Sequence, residues 1–336
     1  MISQPGISVV VATHNGARFL KEQLDSLAAQ THAPLEVIVT DDASTDDTLK
    51  IVMDFASGSP LNFRVIKNQQ PLGFRDNFFK GALAARGALV AFCDQDDIWD
   101  PKKLELCAAH AGDRSIALIV HTAISVDASN KNLGLFSQGI HESGIKPPLS
   151  YDPWFTFFGF SMVFRRELLD IWNTKDRFLD FIVPGQAIAH DRWIMFLAQV
   201  VGRTVEIDRP LVRYRQHDSN LFGDGLRKRR MNRQSVFQEH AAYQTATRDM
   251  IRIVSDLPES TAEHFSLFDR DKALQFLRRA EEQLERRGMV YNSSTRVEAL
   301  RQLLSILTSG IYRAVHDDRV RWRSIAKDIR FALIRQ

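Results

Sequence analysis

The sequence predicts an α/β fold: a Rossmann-like, mostly parallel sheet flanked by helices, with an α-helical C-terminal region. Three observations predict it. Short β-branched runs alternate with segments of helical period from Ile7 to Ala111. The turns that end those runs are rich in Asp, Asn, Ser and Thr. Beyond residue 226 the strand runs stop and charged, helix-period sequence takes over.

Strand one is Ile7-Ser8-Val9-Val10-Val11-Ala12, broken by the turn cluster Thr13-His14-Asn15-Gly16. Phe19, Leu20, Leu24, Leu27 and Ala28 then share a helical face. Strand two, Val37 to Thr40, runs into Asp41-Asp42-Ala43-Ser44-Thr45-Asp46-Asp47, where Ser44 or Thr45 suits the N-cap of a helix carrying Leu49, Ile51, Val52 and Phe55. Strand three, Phe63 to Ile66, leads through Asn68 to Gly73 into a helix from Phe74 to Arg86. Strand four is the apolar run Ala88 to Cys93, which ends in Asp94-Gln95-Asp96-Asp97. A helix from Pro101 to about Ala111 and a strand from Ile116 to Ala123 follow. Residues 127–150 read as a long surface excursion, and a core strand is expected around Phe158 to Phe164. A helix opening at His190-Asp191 and a strand at Thr204 to Ile207 complete a first domain over 1–225. Residues 226–336 form a second region of three to five helices.

Alternating strands and helices at this spacing are joined by right-handed crossovers, and ligands bind such sheets at the carboxyl ends of the strands. The polar turn after strand one, the acid pair after strand two and the acid triplet after strand four therefore converge. No G-x-G-x-x-G follows the first strand and no Walker loop occurs anywhere, which disfavours dinucleotide dehydrogenases and P-loop NTPases. Phosphates here must be held by a metal and by basic side chains.

At 336 residues and 44% hydrophobic, the chain is long enough for a large domain with an appendage. Cys93 and Cys107 make no disulfide framework and no zinc-type spacing occurs, so a reducing, cytoplasmic location is expected. Met1 to Gly6 enters a strand without a signal-peptide pattern, and no apolar run approaches the ~20 residues that cross a bilayer. Net charge is only +3 but unevenly spread, with acids near 41–47 and 94–100 and cations after 226.

Three carboxylates within four residues, at the end of a buried strand, repel one another and lose hydration, so a cation belongs among them. A divalent metal is the direct candidate. Capping of the helix at Pro101 by Asp97 or Asp100 accounts for one acid, not for Asp94 and Asp96. Asp41, Asp42 and Asp46 also suit Asx-turns and caps, and Thr13 and Asn15 suit a turn. Arg75 opens a helix, where a cation opposes the macrodipole and a nearby phosphate would relieve it.

The segments Ile7 to Asn15, Asp41 to Asp46 and Phe92-Cys93-Asp94-Gln95-Asp96-Asp97-Ile98-Trp99, in this order, resemble the inverting nucleotide-sugar glycosyltransferases of family 2, with the GT-A fold. The wording from Cys93 to Trp99 is similar to bacterial rhamnosyltransferase-like members. The resemblance covers roughly residues 5–220. It implies metal-dependent transfer of a sugar, rhamnose by that wording, from a dTDP- or UDP-linked donor to a hydroxyl of a cell-surface polysaccharide or lipid-linked glycan precursor. It also implies roles. Asp42, with Asp41 beside it, accepts from the pyrimidine N3–H while Thr13 and its neighbours, Asn15 among them, line the base. Arg75 lies near the diphosphate and Asp94 on the ribose side. Asp96 is the metal-binding end of a D-x-D motif for Mn2+ or Mg2+, whose hardness suits carboxylate oxygen. His217, in Tyr214-Arg215-Gln216-His217, lies near the metal and diphosphate. Asp191 is the general base, removing the acceptor proton opposite the leaving diphosphate.

Trp154 and Phe155, within the aromatic stretch Tyr151 to Phe160, are either core packing or a sugar-stacking platform for the acceptor. At the far end Trp322, Ile325, Ile329 and Leu333 face Arg321, Arg323, Lys327 and Arg330 across an amphipathic helix. It either packs on its own domain or touches anionic lipid peripherally, on the inner face of the cell membrane. Nothing resembling a nucleic-acid-binding motif accompanies the charge, so no nucleic acid is expected. A catalytically inactive nucleotide-sugar-binding or scaffold protein is the alternative reading, and a nucleotidyltransferase a lesser one.

Overall fold

A computed structural model describes residues 6–218 and 233–333. The expected boundary at 225/226, the cluster Arg227 to Arg230, and Ser219 and Asn220 lie outside the described residues. β1 (Ile7–Thr13), α1 (Leu20–Ala28), β2 (Glu36–Asp41), α2 (Thr48–Gly58), β3 (Phe63–Lys67), α3 (Phe74–Ala84) and β4 (Leu89–Asp94) follow in turn. Their strands pair in parallel in the order β3-β2-β1-β4. β1 and β2 are buried almost throughout, as strands covered by helices on both faces must be. The chain moves outward from β1 to β3 and then returns to the other side of β1. Strand order therefore reverses between β1 and β4, and a crevice opens outside the carboxyl ends of strands at such a reversal. The register sets Ala12 opposite Asp94 at its floor.

The second half of the sheet is mixed. β5 (Ile98–Trp99), α4 (Lys103–Ala108), β6 (Ile116–Asp127), β7 (Asn132–Phe136), β8 (Gly144–Lys146), β9 (Val163–Arg165), α5 (His190–Val201) and β10 (Arg203–Gln216) extend it as β4-β9-β6-β10-β5. β10 runs parallel to β6, while β9 and β5 are antiparallel to their neighbours. The surface excursion at 127–150 holds β7 and β8, which add to the sheet in antiparallel fashion and leave Leu133, Leu135 and Ile145 exposed. Of the run Phe158 to Phe164 only the end is strand, because Gly159–Ser161 forms one tight 3-10 turn. β10 far outruns the segment Thr204 to Ile207. A bulge between Ile207 and Arg213 carries Asp208-Arg209-Pro210 without ending the strand.

One capping expectation is corrected and one is resolved between its two alternatives. Neither Ser44 nor Thr45 caps α2: Asp46 accepts from Thr48 N at 3.0 Å, and the Ser44 hydroxyl is held by Asp41 at 2.5 Å. At α4 it is Asp100 that accepts from Lys102 N, at 2.9 Å, while Asp97 turns inward.

The C-terminal region contains α6 (Arg233–Asp256), α7 (Thr261–His264), α8 (Arg270–Tyr291), α9 (Arg296–Leu307) and α10 (Trp322–Leu333). Met250, Ile253 and Val254 of α6 and Leu277 of α8 belong to the same buried cluster as Phe92, Trp193 and Phe196. One core thus runs from the sheet into the helices. Trp154 joins them: its indole N–H donates to Thr247 Oγ1 at 3.0 Å and its ring stands at right angles to Tyr243. Phe155 stacks on Tyr151. Both rings therefore pack internally, and the expected acceptor platform is not formed by them. Asp152 beside them binds His316 and Arg321, adding a charged tie. A smaller core among α8, α9 and α10 surrounds the buried Asp328, which accepts from Arg287, Tyr291 and Tyr312.

Candidate active site

A cleft of about 1030 Å³ lies at the reversal between β1 and β4. Thr13, Asn15, Asp42, Asp94, Asp96, Asp191 and His217 all line it. Asp41 and Arg75 do not. Asp41 lies behind the cleft, fully buried, accepting from Thr13 Oγ1 at 3.1 Å and from Ser44 N at 3.0 Å. It locks the turn after β2 and leaves the cleft to Asp42.

Asp42 accepts from Asn68 Nδ2 and Leu72 N at 2.7 Å through one oxygen, and from Gly73 N at 2.8 Å through the other. Gly73 supplies the left-handed backbone, φ 82°, that turns this amide toward the carboxylate. A carboxylate has about four acceptor positions, so one remains for a ligand N–H. Asn15 ties the first loop to the second, receiving Thr45 N on its carbonyl at 2.8 Å and donating its own N–H to Ser44 Oγ. Gln95 ties the first to the fourth: it accepts from His14 N at 2.9 Å and donates to His14 O at 3.1 Å. A side chain at Gly16 would collide with the Gln95 amide. Three loops from three strand ends are thereby fixed to one another before any ligand arrives.

Asp96 Oδ2 lies 2.8 Å from His217 Nε2, and the His217 ring rests on Phe19. That 2.8 Å contact is a hydrogen bond; with it opened, the Asp96 carboxylate and the His217 imidazole would offer two ligand atoms to a divalent cation. Among the described residues no group of three His, Cys, Asp or Glu side chains forms a ligand set. Asp96 and His217 would hold such a cation, and diphosphate and water would supply its other ligands.

The crowded acids also have a cation of the protein's own beneath them. Lys103 is fully buried, donates to Phe160 O at 2.6 Å and lies over the Trp99 ring. Burial lowers its ammonium to about 8, against the pull of Cys107, Cys93, Asp97 and Asp94. Asp94 is pushed up to about 7 by burial, then by Asp96 and Asp191. Asp97 is driven well above the usual carboxylate range by burial, then by Asp96 and Asp94, and one of its oxygens accepts from Arg215 N at 2.9 Å.

Asp191 sits in the first turn of α5, its Oδ1 accepting from Arg192 N at 2.8 Å. Burial raises its pKa, with Arg192 opposing, and a raised carboxylate is a stronger base. The loop that delivers it is held by Asp180, which binds Arg75 at 2.7 Å and Arg192 at 2.9 Å. Arg75 also donates to Ala187 O and Gln186 Oε1. Its expected diphosphate contact is therefore replaced by internal partners, which also explain a cation at this helix start. His190 stacks on Phe78 at 4.0 Å, and burial, with Arg177, Arg75 and Arg192, lowers it to about 3.

Sequence reasoning missed Lys103, Gln95, His190 and the aromatic wall of Phe136, Phe158, Phe160 and Tyr214. A signal existed only for Lys103, which shares the buried face of α4 with Leu104, Cys107 and Ala108.

The sheet order and the flanking helices define an architecture of the GT-A type. Residues 8–172 match the model of glycosyl transferase family 2, and this part of the chain is a domain of that family. The match ends before Asp191 and His217. An uncharacterized protein of Mycobacterium tuberculosis is 27% identical over 230 residues, 67% of this chain and 62% of that one, so the chain spans less than two thirds of that relative. The dTDP-rhamnosyl transferase RfbG of Shigella flexneri is 26% identical over 231 residues, 64% of this chain and 74% of RfbG. Among solved structures, residues 1–349 of TarS from S. aureus superpose with a TM-score of 0.56 at 17% identity, covering 97% of this chain and 89% of that 1–349 chain, a likeness of fold alone.

Proposed function

We propose that the protein is a metal-dependent, inverting glycosyltransferase that moves a sugar from a nucleoside diphosphate to an acceptor hydroxyl. The observation that carries this is the meeting of Asp42, the Asp96–His217 pair and Asp191 in one cleft at the strand reversal. Asp42 accepts the N–H of a pyrimidine, and Thr13 and Asn15 shape the floor beneath it. Asp94 faces the ribose. A divalent cation, Mn2+ or Mg2+, when bound, neutralises charge developing on the leaving diphosphate. Asp191 takes the proton of the acceptor hydroxyl, and its raised pKa matches that task. The likeness to RfbG supports a dTDP-linked rhamnose as donor; the acceptor, a cell-surface polysaccharide or lipid-linked glycan precursor, rests on the sequence resemblance alone.

The test is incubation with Mn2+ and a panel of dTDP- and UDP-sugars, following nucleoside diphosphate release. Slow, metal-dependent hydrolysis of one donor is expected. Absence of both release and metal-dependent donor binding across the panel would sink the reading, and binding without release would favour an inactive sugar-nucleotide receptor. Asp191→Asn is expected to keep donor binding while transfer falls by about 10²- to 10⁴-fold, the usual contribution of a general base. Unchanged transfer removes Asp191 from that role.

A further inference from the structure

α10 leaves one face of the helical bundle uncovered. Trp322, Ala326, Ile329 and Leu333 recur at helical spacing and are exposed, Trp322 by 72% and Leu333 by 50%. Its opposite side, with Phe331 and Ala332, is in the core. Arg323, Lys327 and Arg330 form the strip beside the apolar stripe. Arg323 and Arg330 are exposed and make no ion pair among the described residues, whereas Lys327 reaches Glu239. The one acid of the helix, Asp328, is buried beneath Arg287. Neighbouring α9 exposes Val297 and Leu304. Residues 289–333 hold eight of the 18 exposed large hydrophobic side chains among the described residues. They also hold eight Arg and Lys against four Asp and Glu. Apolar exposure and positive charge thus coincide on one part of the surface.

We infer that α10, with α9 beside it, is an in-plane docking surface for an anionic phospholipid bilayer. A helix whose apolar stripe is edged by cations and free of surface acids complements such a bilayer on both counts. The indole and aliphatic groups enter the headgroup boundary while the guanidinium groups reach lipid phosphates. A second copy of the chain is a poorer occupant, because a two-fold contact sets Arg323 and Arg330 against themselves. No helix among the described residues is long and apolar enough to cross a membrane, so this mode lies on the bilayer. The benefit to the enzyme rests on the reading of a lipid-linked acceptor; the contact itself does not.

The test mixes the full chain with large vesicles of phosphatidylcholine, with or without phosphatidylglycerol, and reads the sedimented fraction in the absence of any nucleotide sugar. Binding to the anionic vesicles, weak binding to the neutral ones and release by salt are expected. Arg323→Gln with Arg330→Gln is expected to weaken partitioning by about thirtyfold, the loss that accompanies two cations leaving an anionic interface. Trp322→Ser with Ile329→Ser is expected to abolish it while thermal melting and donor hydrolysis stay at parent values. Binding equal across parent and variants, or none to anionic vesicles, overturns the inference. So does a homodimer in sedimentation velocity that the Trp322→Ser variant dissociates. Because donor hydrolysis is read separately, failure here leaves the transferase reading untouched, and the reverse.

Discussion

Asp97 lies fully buried beside Asp94 and Asp96, with one oxygen on the Arg215 amide and the other facing no donor. Burial, then Asp96 and Asp94, raises its pKa and favours the uncharged acid, whose shape asparagine keeps without the titration. Asp97→Asn is expected to stay within about 1 kcal/mol of the parent at neutral pH, whereas Asp97→Leu, which strands the Arg215 amide, costs about 2 kcal/mol. The folded pKa exceeds the unfolded one, so the acid's contribution is complete below the unfolded carboxylate value and fades as pH rises through the folded one. Denaturant titrations across that range are expected to show a smaller alkaline decline in the asparagine variant; equal declines would refute this. At this scale the sequence was legible wherever topology delivers a residue. Asp42, Asp94 and Asp96 follow strands whose ends must meet at a reversal, so their convergence could be expected. Arg75 engages Asp180, a partner fixed only by tertiary packing, whereas the local turn that Asp41 makes with Ser44 was among the sequence's own alternatives. Lys103 was legible only as a member of the buried face of α4; its part as counter-charge to the acids depends on tertiary packing.

Among the elements, the joint between α6 and α8 carries a pH-sensitive contact. His240 on α6 has Nε2 2.9 Å from Leu284 O, and burial, then Arg287, lowers its pKa to about 4. A histidine depressed in the folded state contributes stability that is complete above its unfolded value, about 6.5, and is lost as pH falls through the folded one. Acidification from about pH 6.5 to about pH 4 is expected to weaken the fold by up to about 3 kcal/mol through this residue. His240→Gln, which keeps a donor without the titration, is expected to flatten that part of the profile. Denaturant midpoints across this window decide it, and parallel profiles would remove His240 from the account. Element positions were legible for β1 to β4, where buried β-branched runs are unmistakable. The long β10 was hidden by Pro210, which reads as an end but sits in a bulge, and β7 and β8 by their exposed, weakly alternating edges.

Across the whole molecule, Trp154 ties the segment leading to the cleft onto α6. Thr156, Phe158, Gly159 and Phe160, just beyond it, line the cleft. Trp154→Ala removes the bond to Thr247 and the packing on Tyr243, and is expected to cost about 3 kcal/mol, read as a lower denaturant midpoint. An unchanged midpoint would show that the tie is slack. The division at 225/226 followed a change in composition, which reports local helix preference and is blind to which apolar faces later meet. Here Ile253 and Val254 share one buried cluster with Trp193 and Phe196 of α5, the helix that carries Asp191. A bundle exchanged for that of another chain would bring mismatched side chains into the cluster that α5 shares with α6 and α8. Relatives of this chain are therefore free to change the addresses written on the outer faces of α9 and α10 one substitution at a time, while inheriting the inner faces as a single unit with the catalytic sheet.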